Sequence, residues 1–181
     1  MKPIEELISR IHKHVFAHLE SPLSYDVASE LLIEKAERSL KLSIPPLLRE
    51  CYKCVANGGF GPGYGLIGLE NGAKSDFGTL VETYEQLKSD QELEGGEWDR
   101  TLLPFCDWGC NIFSCVDCAD PEYHVYTFRD FSVVKQSYTI EEFFEMWLKG
   151  VDILSVDSKS LEESEFINPF TGEKASVTRQ K

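Results

Sequence analysis

A proline-led apolar segment followed by a glycine-rich segment constrains the fold of this chain most. Residues 44–52 read Ile-Pro-Pro-Leu-Leu-Arg-Glu-Cys-Tyr, and residues 57–66 read Asn-Gly-Gly-Phe-Gly-Pro-Gly-Tyr-Gly-Leu. Proline suits a first helical turn, because its missing N–H would have no partner there. Glycine can end a helix in the left-handed conformation without a Cβ penalty. The pattern predicts a short buried helix from Pro45, a stop at Asn-Gly-Gly, and a strand over 64–69.

Periodic apolar residues predict further helices around this segment. Residues 3–19 have the one-sided spacing of an amphipathic helix. A second helix is expected from about Asp26 as N-cap, and another after Asp76, which dissolves into a polar acidic loop over 90–97. The predicted inward positions of the second helix are Leu31, Leu32, Ala36 and Leu40. Thr139 and Glu142 have the spacing of a capping box, which predicts the start of the last core helix.

Four short strands are expected between these last two helices. They cover residues 102–106, 112–117, 124–128 and 133–136, and the short linkers rich in Asp, Gly and Pro are typical of an antiparallel meander. The predicted fold is therefore α+β, a single domain with a mostly antiparallel sheet of about four to six strands and helices mainly on one face. We assign residues 1–150 to this domain, with the helix over 3–19 packed on it. Residues 151–181 hold few apolar residues and are expected to form a partly extended tail over the domain.

Three segments in this order resemble one family of binding proteins. The first is the Pro–apolar–Tyr–Asn-Gly-Gly segment described above. The second, residues 103–117, reads Leu-Pro-Phe-Cys-Asp-Trp-Gly-Cys-Asn-Ile-Phe-Ser-Cys-Val-Asp, and the third, residues 139–148, reads Thr-Ile-Glu-Glu-Phe-Phe-Glu-Met-Trp-Leu. Their order and spacing resemble the SUKH superfamily, which includes the Smi/Knr cell-wall-regulator proteins and many bacterial immunity proteins. The resemblance covers most of residues 26–150. Cys110 departs from the family pattern, where a glycine is more usual.

The resemblance implies a non-catalytic protein-binding domain. Its first implication is an immunity protein that neutralises a cognate toxin, commonly a nuclease, in the cytoplasm of its producer. A regulatory or scaffolding module of the cell-wall-regulator kind is the alternative. An enzyme of unrecognised type is a third, disfavoured interpretation, because the residues show no complete catalytic set.

The charge of the chain indicates the kind of partner. It has 18 Lys and Arg against 31 Asp and Glu, a formal net charge of −13. A field of this sign repels nucleic acid and anionic membranes and attracts a basic protein, although acidity for solubility alone is the plain alternative. No run of eighteen apolar residues and no apolar signal segment is present, so we expect a cytoplasmic protein with reduced cysteines.

Two sets of residues are candidate contact surfaces. Residues 70–100 hold nine acidic against three basic residues, and the loop over 90–99 lacks the apolar spacing of a core element. We therefore predict that a basic partner contacts Glu92, Glu94, Glu97 and Asp99; a merely solvated face is the alternative. The second set consists of aromatic residues near turns, which act either as lids of the core or as anchors of a binding surface: Phe60, Tyr64 and Trp108.

Cysteines and histidines are the remaining candidates for chemistry. Cys51-x-x-Cys54 and Cys115-x-x-Cys118 have the spacing of zinc ligands, but all four are interpreted here as core residues. The pair His14 and His18 is spaced to bind a metal from one helix face, and lacks a third ligand nearby. The glycine-rich segment lacks the Lys-Ser/Thr of a phosphate-binding loop. We therefore predict no catalytic residue, no cofactor and no metal.

Overall fold

The computed structural model describes residues 3–17, 26–156, 166–167 and 174–175. Five helices are bounded as follows: α1 Pro3–Ala17, α2 Glu30–Leu40, α3 Pro46–Cys54, α4 Leu80–Leu93 and α5 Ile140–Leu148. A further helical turn covers 153–156. The strands are β1 Gly65–Leu66, β2 Leu102–Gly109, β3 Ile112–Asp117, β4 His124–Arg129, β5 Ser132–Thr139, β6 Phe166–Ile167 and β7 Lys174–Ala175.

Strands β1 to β5 form one antiparallel sheet in sequential order, and β6 pairs with β7 separately. The predicted α+β class, the meander and the number of strands are thereby confirmed. The predicted strand over 64–69 is wrong in extent, because the observed strand covers only Gly65–Leu66. The predicted boundary between a domain and a tail at residue 150 stays a prediction.

Side-chain caps begin α2, α4 and α5, and two of the predicted caps are wrong. Ser29, not Asp26, caps α2, since its side chain accepts a hydrogen bond from the backbone N–H of Leu32. The buried residues of α2 are Ile33, Ala36 and Leu40, so the prediction of Leu31 as an inward residue is wrong, and Leu31 is 74% exposed. Thr79, not Asp76, caps α4 in a capping box with Glu82. The predicted capping box of Thr139 and Glu142 at α5 is confirmed, with both reciprocal hydrogen bonds present.

The glycines after α3 serve close backbone approach and not helix capping. Helix α3 ends at Cys54 with Val55 as its C-cap, before the Asn-Gly-Gly segment. Gly58 has φ +80°, and a Cβ there would lie 2.6 Å from the Leu66 carbonyl oxygen. The buried Asn57 joins the same segments, because its Oδ1 accepts from the Leu69 N–H at 2.8 Å and its Nδ2 donates to the Glu70 carbonyl at 3.0 Å.

Two hairpins of the sheet end in two-residue turns without glycine. Cys110 and Asn111 join β2 to β3 with φ of 52° and 59°, and Asp130 and Phe131 join β4 to β5 with φ of 49° and 59°. Positive φ at both central positions is the type I′ turn that suits twisted strands. The departure from glycine at Cys110 therefore leaves the hairpin intact, with a residue held in the left-handed region.

An aromatic core lies between the sheet and the helices. The rings of Phe105 and Phe143 meet edge-on at 5.0 Å, which packs α5 against the sheet. Tyr52 is fully buried and donates its hydroxyl to the Ile67 carbonyl at 2.8 Å. Trp147 contacts this core and is itself half-buried. Within the residues that the structure describes, no helix is long and apolar enough to span a membrane.

Candidate functional site

The four predicted acidic contact residues are solvent-facing. Glu92 lies in the last turn of α4, whereas Glu94, Glu97 and Asp99 lie between α4 and β2, and all four are exposed. The predicted loop over 90–97 begins later than expected, because residues 90–93 are still helical. Part of this acidic segment is therefore held on a regular helix.

The meander brings a second acidic segment to the same end of the sheet. Leu102, at the start of β2, pairs with Asp117 at the end of β3, and the Cys118 N–H donates to the Thr101 carbonyl at 2.9 Å. We call residues 90–100 together with 117–124 the acidic end. It holds eight acidic residues and one basic residue, Arg100. Sequence reasoning missed the second segment, although the predicted β3–β4 turn already implied its position.

Asp120 is the most tightly held carboxylate of the acidic end. Its Oδ1 accepts from the Glu122 N–H at 2.9 Å, and its Oδ2 lies 2.6 Å from His124 Nδ1 and 3.7 Å from Lys135 Nζ. The backbone N–H of Glu122, and next the His124 ring, lower the pKa of Asp120 to about 2. Asp120 is therefore ionised at neutral pH.

A metal at this turn is poorly supported by the same geometry. Among the described residues, Asp120, Glu122 and His124 are the group whose ligand atoms lie within 4.8 Å of one another. However, both oxygens of Asp120 already accept hydrogen bonds, and the Lys135 ammonium stands beside one of them. These contacts already occupy both oxygens of the Asp120 carboxylate, so the cluster is explained as a hydrogen-bonded turn.

Trp98 fixes the acidic loop to the core. Its ring is 6% exposed and meets Tyr84 and Phe128 edge-on, at centroid distances of 6.1 and 5.9 Å. Its indole N–H has no hydrogen-bond partner among the described residues. Because the neighbours of Trp98 are Glu97 and Asp99, the two carboxylates are displayed on an anchored segment.

The three aromatic candidates have different roles. Phe60 is buried and belongs to the core, which makes it a lid. Trp108 is half-buried, donates its indole N–H to Ser114 Oγ at 2.9 Å and meets Phe143 edge-on. Tyr64 is 74% exposed. Only Tyr64 therefore has the exposure of an anchor that could enter a partner.

Glycines position Tyr64 and Trp108. A Cβ on Gly109 would lie 2.6 Å from Tyr64 Cε2, and a Cβ on Gly63 would lie 2.9 Å from Trp108 Cε3. Each ring thus lies on a glycine of the other's segment. The turns at Cys110 and Phe131 lie at the same end of the sheet, so we call this region the turn end.

The two candidate surfaces lie at opposite ends of strand β2. Leu102 adjoins the acidic end and Trp108 the turn end, and six residues of extended chain span about 20 Å. The structure therefore does not bring the acidic and aromatic candidates together on one surface.

Asp107 is a buried carboxyl at the turn end that sequence reasoning did not single out as a functional residue. Its Oδ1 accepts from the Gly109 N–H at 2.7 Å, and burial raises the pKa of its carboxyl, with the charge of Asp76 acting in the same direction. Its carboxylate orders the end of β2, where Tyr64 also donates its N–H to the Asp107 carbonyl.

In the part of the chain that the structure describes, no cysteine belongs to a group of three possible metal ligands. Cys51 and Cys115 are buried, as predicted, but Cys54 is exposed, so its assignment to the core is wrong. Burial is the main cause that raises the pKa of all four thiols, that of Cys118 to about 12. Protonated thiols are poor nucleophiles.

The predicted histidine pair cannot be assessed as a pair. His14 packs edge-on against Trp147 at 4.9 Å, which explains it as a packing residue. His18 lies outside the described residues.

Comparison with known proteins identifies the type of domain. Residues 27–150 match the model of the SMI1 / KNR4 family (SUKH-1). This range contains both candidate surfaces and the three segments quoted from the sequence. No curated protein sequence matches the chain.

Proposed function

The chain belongs to the SMI1 / KNR4 family (SUKH-1), and from this premise we propose that it is a non-catalytic protein-binding domain that acts as an immunity protein. Its partner is a cognate toxin with a basic surface, of the nuclease class, which it neutralises in the cytoplasm of the producing cell. The acidic end is the contact surface.

The charge of the acidic end is the observation that carries this proposal. Eight carboxylates against one cation form a local negative field. Such a field speeds encounter with a basic protein and repels nucleic acid, and its effect weakens as salt screens it. A nuclease fits this surface because its own phosphate-binding site is positively charged.

A scaffolding module is the second candidate, and the position of Tyr64 favours it. The exposed ring lies at the turn end, about 20 Å of strand away from the acidic end. Two separated surfaces would allow the domain to hold two partners at once.

Co-purification with the product of the neighbouring gene tests the proposal. A bound product is then assayed for cleavage of DNA and RNA with and without this protein, and cells expressing it are scored for protection. Binding with inhibition and protection supports the immunity function. Binding without either supports the scaffolding alternative.

Association rates test the contact surface. The quadruple variant Glu92→Gln, Glu94→Gln, Glu97→Gln and Asp99→Asn should associate severalfold more slowly at low salt and approach the wild-type rate at high salt. The variant Asp26→Asn with Asp130→Asn removes exposed charge outside the acidic end and serves as the control. Equal rates for wild type and the quadruple variant at low salt would show that the acidic loop is only a solvated face.

A further inference from the structure

An exposed leucine lies among the carboxylates of the acidic end. Leu93, the last residue of α4, is 81% exposed and lies between Glu92 and Glu94, which are also exposed. Single exposed apolar residues are common on protein surfaces. This one is set apart by its carboxylate neighbours and by the rigidity of the chain that carries it.

The chain around Leu93 is held at both sides. After α4, Gly95 has φ +81° and donates its N–H to the Glu92 carbonyl, and the Gly96 N–H donates to the Gln91 carbonyl. This is the Schellman arrangement that closes a helix. Two residues beyond Gly96, Trp98 anchors the chain in the core. Leu93 is therefore presented in a fixed place before any partner arrives, which reduces the ordering cost of binding.

The charges at this helix end oppose the helix dipole. The last turn of α4 contains no basic residue, whereas Asp90, Glu92 and the C-cap Glu94 are acidic. The carbonyl end of a helix carries partial negative charge, so cations are favoured there and anions are not. Glu92 and Glu94 thus oppose the helix dipole, whereas Asp90 is offset by a hydrogen bond that it accepts from the Gln86 side-chain amide at 2.8 Å. A basic partner would relieve the unfavourable charge at this helix end, and such local conflicts are expected at functional positions.

We infer that Leu93 is the apolar anchor of the contact with the partner, which is a basic protein with an apolar patch inside a cationic rim. This inference rests on the proposed function and adds to it: the carboxylates govern the rate of association, and Leu93 governs the rate of dissociation. Charge complementarity selects the cationic rim, and the exposed Leu93 side chain selects the apolar patch that the rim surrounds.

Two synthetic peptides test the inference without the natural partner. Both are twelve residues long with six lysines; one carries six leucines on its other face, and the second carries six serines. Wild-type protein should bind the leucine peptide about tenfold more tightly than the serine peptide, the effect expected for partial burial of one leucine. Leu93→Ser should remove that preference. Leu31→Ser is the matched control, because Leu31 is similarly exposed and lies outside the acidic end.

The outcomes separate this inference from the proposed function. If Leu93→Ser keeps the preference, or Leu31→Ser loses as much of it, the anchor is wrong and the acidic contact surface stands. If the quadruple acidic variant binds both peptides as well as wild type, the acidic contact surface itself fails. A second readout needs no peptide. Glu92→Gln with Glu94→Gln should raise the melting temperature at low salt by more than Asp26→Asn, which removes an exposed charge outside the helices. An unchanged or lower melting temperature for the double variant would show that its carboxylates do not oppose the helix dipole.

Discussion

The indole ring of Trp98 lies edge-on against the ring of Phe128, with centroids 5.9 Å apart. Trp98 belongs to the acidic segment and Phe128 to the buried side of β4. This contact ties a segment that carries Glu97 and Asp99 to the centre of the sheet. The position of the carboxylates therefore depends on a core residue. Substitutions at Trp98 change the packing of this segment and leave its charges in place.

Trp98→Ala should destabilise the protein by about 3 kcal/mol, because it removes a buried aromatic ring. Trp98→Phe should cost only about 1 kcal/mol, since it keeps a ring and removes an indole N–H that has no partner. Urea unfolding of both variants measures the difference. Equal losses for the two variants would contradict the assignment of Trp98 as a packing residue.

Trp147→Ala should cost about 2 kcal/mol, below the 3–5 kcal/mol of a fully buried aromatic residue, because Trp147 is half-buried. Its ring lies 4.9 Å from His14, 6.2 Å from Phe144 and 6.4 Å from Phe60. Phe144→Ala, at a fully buried position of the same helix, is the control and should cost more. An unchanged thermal midpoint for Trp147→Ala would place that ring outside the packed face of α5.

Elements with strong local signals were predictable from the sequence. The capping box of α5 and the β3 strand over 112–117 follow from residue type and period alone, and both have the predicted bounds. Asp26 and Asp76 were the predicted caps of α2 and α4, and both predictions are wrong. Several Ser, Thr and Asp residues precede each helix, and each of these residue types can cap it. Which of them caps the helix depends on the direction in which tertiary packing lets the chain enter.

The site was predictable in part. Charge density pointed to Glu92, Glu94, Glu97 and Asp99, but the pairing of Leu102 with Asp117 is a long-range contact that adds the second acidic segment. Likewise, the placement of the Tyr64 and Trp108 rings depends on Gly109 and Gly63, which let the rings approach the backbone, whereas Phe60 is buried in the core. Residue type alone does not distinguish these aromatic residues.

Cys110→Gly should stabilise the protein by about 0.5 kcal/mol. Cys110 has φ 52°, a region that costs L-residues roughly 1–2 kcal/mol, and the greater freedom of glycine in the unfolded chain offsets part of the gain. Cys54→Gly is the control: Cys54 is also exposed but is the last residue of α3 and has no positive φ, so glycine relieves no strain there and should not stabilise the protein. Destabilisation by Cys110→Gly would show that the thiol makes contacts that outweigh the strain.

The purified protein should contain no stoichiometric zinc. Among the described residues, no cysteine belongs to a group of three or more possible metal ligands, and Cys54 is exposed whereas Cys51 and Cys115 are buried. Elemental analysis should find far less than one zinc per chain, and a chelator should leave the thermal midpoint unchanged. About one zinc per chain, lost together with the fold on chelation, would refute this.

Asp120 should contribute to the acid limb of stability. Its pKa is lowered to about 2 in the folded protein, against about 3.9 for an unfolded chain. A lowered carboxyl pKa stabilises the folded state above the unfolded value, and this contribution is lost as pH falls from about 4 to about 2. Asp120→Asn keeps the acceptor for the Glu122 N–H but removes the charge beside His124 and Lys135. The variant should therefore be less stable than wild type at pH 7, and the two should converge near pH 2.

Glu122→Gln is the control, because a side chain that is 73% exposed contributes little. Urea unfolding at pH 7, 4, 3 and 2 measures both, and a constant gap between wild type and Asp120→Asn across this range would show that the hydrogen-bonding geometry, and not the charge, stabilises the turn.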